Sequence, residues 1–161
     1  MPRTIQSTLR PRLLGSLAAA ALCVSLIAHA QAQDTSTTSP VGTWQTIDDH
    51  TGQPKALVQI TEQADGTLSG KVIKGLEPND DPTRRCTECT DARKDQLMLG
   101  MTIIDGVKQD GANWDGGHIL DPENGKIYRC KMHVEDGGKT LVVRGYIGFA
   151  LLGRSQTWHR D

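Results

Sequence analysis

The amino-acid sequence predicts an all-β fold, a single up-and-down antiparallel barrel of about eight strands. Three observations carry the prediction. Beyond residue 40 the chain breaks into short runs separated by turn signals at roughly regular intervals, without a helical period between them. The turns at Ala64-Asp65-Gly66, Gln109-Asp110-Gly111, 121–125 (DPENG) and Asp136-Gly137-Gly138 supply Gly where φ must be positive and Asp or Asn to bond the local backbone, so neighbours in sequence pair antiparallel. Alternation separates two faces: Tyr128, Cys130, Met132 and Val134 fall on one side, Arg129, Lys131 and His133 on the other. Closure into a barrel leaves no exposed sheet edge and an interior wide enough for packed side chains or one small ligand.

The elements follow in order. Arg3, Arg10 and Arg12 precede an apolar run from Leu13 to Ala28, and Ala28, Ala30 and Ala32 form overlapping A-x-A signals. This is the pattern of a secretory signal peptide over 1–30, cleaved after Ala30 or Ala32, and the run is shorter than the ~20 residues a membrane span needs. Cys23 is expected to leave with it. Residues 31–40 are Ser/Thr-rich and read as a flexible leader to a domain over 41–161. The expected strands are 42–48, 55–62, 67–74, 99–108, 112–120, 126–134, 139–147 and 153–160. Leu141, Val143 and Ile147 are expected to share a face of the seventh.

One connection breaks the meander. Residues 75–98 join the third and fourth strands through about two dozen residues, where hairpin loops take about 2–5. That length marks a functional or disordered segment, and this one carries Cys86 and Cys89 as a C-x-x-C pair. In the oxidising compartment that a signal peptide implies, the default is a disulfide stapling the loop. A redox-active thiol pair flanked by Arg84, Arg85, Arg93 and Lys94 is the alternative, although the βαβ context of redox C-x-x-C motifs is absent. A metal site would draw on His50, His118, His133 or Cys130, which are scattered singly, so the sequence implies no metal and no cofactor. Cys130 reads as a buried small hydrophobe, and its presence leaves a Cys86–Cys130 pairing open.

Composition excludes some functions. Lys and Arg total 18 against 19 Asp and Glu, with a net charge of −1, so no global field points to nucleic acid. Aromatic residues make up 4%, which limits stacking surfaces for sugars or bases. No nucleophile elbow, H-E-x-x-H helix or phosphate-binding Gly loop is present. Asp48, Asp49, His50, Asp115, Asp121 and Glu123 stand beside turns, where carboxylates bond backbone.

Gly42-Thr43-Trp44 opens the first strand, and Arg154 and Arg160 lie near the end of the last. The arrangement resembles the lipocalin or calycin signature, in which a guanidinium from the end of the chain covers a Trp at the closed end of the barrel. Longer stretches, GTWQT, GKVIKG, CTEC with ARKDQLMLGMTIIDG, WDGGHILDPENGKIY and VRGYIGFALLGRSQTWHR, resemble the bacterial exported family termed domain of unknown function 2147. The resemblance implies a lipocalin-like barrel and a periplasmic address, and supplies no catalytic residues.

Chemistry must therefore come from the residues. The run Tyr146–Arg154 puts Phe149, Leu151 and Leu152 at a hairpin tip where polar residues are expected, so the tip either folds back or forms an apolar lip. With 97–101 (LMLGM) it frames a mouth, and Leu97, Leu99, Met101, Tyr128, Met132, Tyr146 and Phe149 are the candidate ligand contacts. The expected function is a periplasmic barrel that binds a small apolar or amphipathic ligand, with 75–98 as its lid. The competing readings are a thiol-active or metal-binding envelope protein using Cys86 and Cys89, and a structural, partner-binding envelope protein with a filled barrel.

Overall fold

A computed structural model describes residues 39–161. The expected signal peptide, and the leader up to residue 38, lie outside the described residues. Eight antiparallel strands close in chain order into one barrel: β1 (Gly42–Ile47), β2 (Pro54–Glu62), β3 (Leu68–Gly75), β4 (Thr102–Asp110), β5 (Asn113–Asp121), β6 (Lys126–Glu135), β7 (Thr140–Tyr146) and β8 (Gly153–Arg160). Short turns build the meander as the sequence predicts. At one of them Asp65 accepts from the backbone N–H and hydroxyl of Thr67, while Gly66 holds φ at 77°.

Most strands begin and end within a residue or two of expectation, and the fourth differs more. It starts at Thr102 rather than residue 99, because Gly100 takes φ 84° and the Met101 N–H turns back to the Met98 carbonyl. The long connection therefore spans 76–101, and Leu99 and Met101 belong to it rather than to the strand.

Alternation places Trp44, Val58, Ile60, Leu68, Ile104, Met132, Leu141 and Trp158 in one buried cluster. Trp44, Leu68, Met132 and Leu141 of this cluster lie toward the end where β1 begins and β8 finishes. There the Arg160 guanidinium lies 4.1 Å from the centroid of the Trp44 ring. Its nitrogens also donate to the carbonyls of Gly138, Val41 and Ser39 at 2.5, 3.1 and 3.0 Å. Trp44 Nε1 donates to the Pro40 carbonyl at 2.7 Å. Ser39 and Pro40, the last two residues of the expected leader, are thus tied into the closed end. Gly42 is required where it stands: φ is 142°, and a β-carbon there would collide with Arg160 Nη1. Arg154 stands at the opposite end of β8 and does not close the barrel. It is ion-paired with Asp49.

Candidate functional site

The other end of the barrel is open. A cavity of about 970 Å³ runs from the barrel interior to the loops joining β1 to β2, β3 to β4, β5 to β6 and β7 to β8. Val58, Val72, Ile119, Tyr128, Val143 and Trp158 line it. Gly145 completes the wall, and a β-carbon placed there would meet Tyr128 Cβ at 3.3 Å and Ile119 Cγ2 at 3.5 Å. A side chain at 145 would therefore press on the wall that Tyr128 and Ile119 form.

Polar groups enter the cavity in two sets. Trp158 Nε1 donates to Gln156 Oε1 at 3.1 Å, and Gln156 Nε2 donates to Asp49 Oδ2 at 2.6 Å. This chain runs from the floor to the rim, where Asp49 meets Arg154. Across the mouth, Asp48, Lys55, Glu123, Arg84 and Glu77 form a continuous ion-pair series, with gaps of 3.5, 2.7, 3.3 and 3.2 Å. The series ties the β1–β2 turn, β2, the β5–β6 turn and the long loop together. Each exposed pair contributes little alone, and connection into a network is what gives the set weight.

Ionisation reflects these contacts. Asp48 is held down to about 2 by the backbone N–H and hydroxyl of Thr51, with the His50 N–H and Lys55 adding to the effect. Burial pushes the Glu123 carboxyl up, but its hydrogen bonds and attraction to Lys55 and Arg84 outweigh this and leave it lowered. Burial likewise opposes the charge on Lys55, and Glu123 and Asp48 still raise its pKa.

Cys86 and Cys89 form a disulfide with their Cα atoms 5.4 Å apart, and Cys130 is free. The pair is buried in the same cluster as the barrel core, so the long loop is docked against the barrel. One close approach marks the dock, and bonds within the loop set its shape. Gly125 in the β5–β6 turn approaches Glu88 and Cys89 so closely that any β-carbon would overlap their backbone. Within the loop, Cys86 N–H donates to the Gln96 carbonyl at 2.9 Å and Met98 N–H to the Arg84 carbonyl at 2.8 Å. Burial, with Asp115 and Asp105 nearby, pushes the Cys130 thiol up to about 12, which leaves it un-ionised at neutral pH and a poor nucleophile. Among the described residues no three His, Cys, Asp or Glu side chains are grouped to hold a metal ion.

Of the seven candidate ligand contacts, Leu99 and Tyr128 line the cavity. Met132 is fully buried in the packed core, and Met101 is buried in the same cluster. Leu97 pairs with Arg85 in an isolated bridge within the long loop. Tyr146 alternates with inward-facing Gly145, so it lies on the outer face, where it is nonetheless buried and its hydroxyl donates to Asp115 Oδ1 at 3.3 Å. Phe149 projects from the β7–β8 tip and is 79% exposed. The sequence reading missed Val58, Val72, Ile119, Val143 and Trp158. All five fall at inward positions, so alternation could have found them.

Residues 42–160 match the family described as "Uncharacterized protein conserved in bacteria (DUF2147)". The chain belongs to this family. No curated protein matches this chain. Among solved structures, this family member is similar to protein HP1028 from the human pathogen Helicobacter pylori, which is described as belonging to the lipocalin family. The two share 16% sequence identity with a TM-score of 0.65, over 76% of this chain and 83% of that one. At that identity the likeness concerns the fold, which is a lipocalin-like barrel.

Proposed function

We propose that this DUF2147 protein is a periplasmic binding protein that holds one small amphipathic molecule in its barrel. The observation that carries the reading is the cavity itself: about 970 Å³, walled by aliphatic side chains and ringed by charge at one end only. An apolar concavity with a few convergent polar groups is the general form of a small-molecule site, and a barrel mouth is a frequent place for one. An apolar tail would lie against Val58, Val72, Ile119 and Val143, with a polar head among Gln156, Asp49, Arg154 and Lys55. The docked loop forms part of the mouth through Glu77, Arg84, Met98 and Leu99. A periplasmic location agrees with the signal-peptide pattern of residues 1–30 and with the disulfide.

Trp158 supplies the test, because it lines the cavity. Titration with an apolar fluorescent probe should quench or shift its emission saturably, with one probe per chain, and Trp158→Phe should remove most of the signal. Emission unchanged across a series of fatty-acid and naphthylamine probes would count against the reading.

A further inference from the structure

The most exposed apolar surface of the described residues stands at the rim of the cavity and lies largely outside it. The β7–β8 connection, residues 147–152, reads Ile-Gly-Phe-Ala-Leu-Leu and carries no charge. Ile147, Phe149, Leu151 and Leu152 are 62, 79, 92 and 79% exposed. Single exposed apolar residues are ordinary, but four on one tip mark a contact surface.

The tip has a defined shape. Arg144 of β7 donates from Nε to the Ala150 carbonyl at 2.7 Å, from Nη2 to the Leu151 carbonyl at 3.4 Å and from Nη1 to Ser155 Oγ at 2.9 Å. The Leu152 N–H closes a 3₁₀ turn onto the Phe149 carbonyl at 3.0 Å. Three carbonyls of the turn, those of Phe149, Ala150 and Leu151, are therefore satisfied from within the protein. A segment entering a lipid interface needs that, because hydrocarbon offers no donors. A protein partner could supply its own.

Size and position point the same way. Standard protein interfaces use roughly 20–30 residues a side, whereas a lipid interface accepts a few apolar side chains without a complementary surface. Ile147 and Leu152 also line the cavity, so the apolar surface of the tip continues into the barrel. Leu99 and Ile73, 41 and 39% exposed, add apolar surface elsewhere on the mouth.

We propose that the β7–β8 tip is a membrane-docking wedge that inserts Phe149, Leu151 and Leu152 into a lipid bilayer surface and sets the cavity mouth against it. The ligand class is then a membrane-derived amphiphile, exchanged between bilayer and barrel. That second step rests on the ligand-binding reading, whereas docking is measured with no ligand, so either can fail alone. The guanidiniums beside the wedge are occupied, Arg144 by carbonyls and Arg154 by Asp49. Arg144 keeps its charge, since its partners are neutral, so docking is chiefly apolar with a small salt-sensitive part.

The test is flotation with vesicles of phosphatidylethanolamine and phosphatidylglycerol, comparing the protein with its Phe149→Ser/Leu151→Ser/Leu152→Ser variant. Both are prepared identically from the same host, so any contribution of residues 1–38 is common to the two. The expected result is a loss of partitioning of about tenfold or more in the variant, little changed by high salt, with unaltered circular dichroism. A local readout comes from Leu151→Trp. Trp44, Trp114 and Trp158 are buried, so the added indole reports the tip, and its emission should shift to the blue on adding vesicles. Equal partitioning of the two proteins, or no blue shift, overturns the proposal. A concentration-dependent dimer that the triple variant abolishes, without vesicle binding, also overturns it and assigns the tip to a second copy of the chain.

Discussion

Arg160 acts as the clasp of the closed end. It covers Trp44 and bonds carbonyls from the N-terminal segment and from the turn between β6 and β7. Register pairs between β1 and β8 are few, Trp44 with Arg160 and Gln45 with His159, so this side chain strengthens the thinnest seam of the barrel. Arg160→Ala is expected to lower unfolding stability by about 2–3 kcal/mol, from a cation–π contact and charge-assisted hydrogen bonds. Arg160→Lys should recover only part of it, because an ammonium cannot span three carbonyls in one plane. Urea denaturation of the two variants measures the difference. Equal stability of wild type and Arg160→Ala would remove the clasp. The G-x-W motif and the terminal arginines were legible in the sequence, but the choice between the arginines was not. Arg154 and Arg160 differ by six positions, or about 20 Å along a strand, which is nearly the whole of β8.

At the scale of elements, the long loop is the part that sequence reasoning identified by its length and could not place. Its C-x-x-C signalled a staple, while the contact partner, the β5–β6 turn at Gly125, is remote in sequence and carries no local signal. The ring closed by Cys86 and Cys89 is small, so their replacement by Ser should cost about 1–3 kcal/mol. Hydrogen exchange should rise chiefly across 84–98, with the strands keeping their protection. Global loss of protection would show instead that the loop is integral to the barrel.

Charge at the mouth gives this element its pH dependence. Asp48 and Glu123 have lowered pKa values in the folded protein. The stability they contribute is therefore complete above the ordinary carboxylate range and is lost as pH falls from about 4 toward 2. Lys55 is raised, so its contribution is present below its ordinary value and is lost as pH climbs through the higher folded one, beyond about 10.5. Melting temperature against pH should show a plateau with an acid limb that Asp48→Asn and Glu123→Gln together flatten. An acid limb of unchanged shape in the double variant would contradict the network.

For the whole molecule, the barrel was legible because turn chemistry and alternation agree at almost every hairpin. The site was legible only in part, because alternation distinguishes inside from outside and carries no information on depth. Tyr128 and Met132 share the inner face of β6, yet four residues separate them by about 13 Å. One reaches the cavity and the other is buried in the packed end. Bulges between Thr46 and Ile47, Leu57 and Val58, and Trp114 and Gly117 further shift the register.

The molecule as a carrier is tested most directly by native mass spectrometry of the protein purified without detergent from its own host, alongside Gly145→Leu. The new side chain would project from the cavity wall beside Tyr128 and Ile119. It should cut affinity for an amphiphile by about tenfold or more while the barrel stays folded. The account predicts a single small-molecule adduct on the wild-type protein, released on denaturation and absent or depleted in the variant. Bare protein mass for both, under conditions that preserve non-covalent complexes, would contradict it.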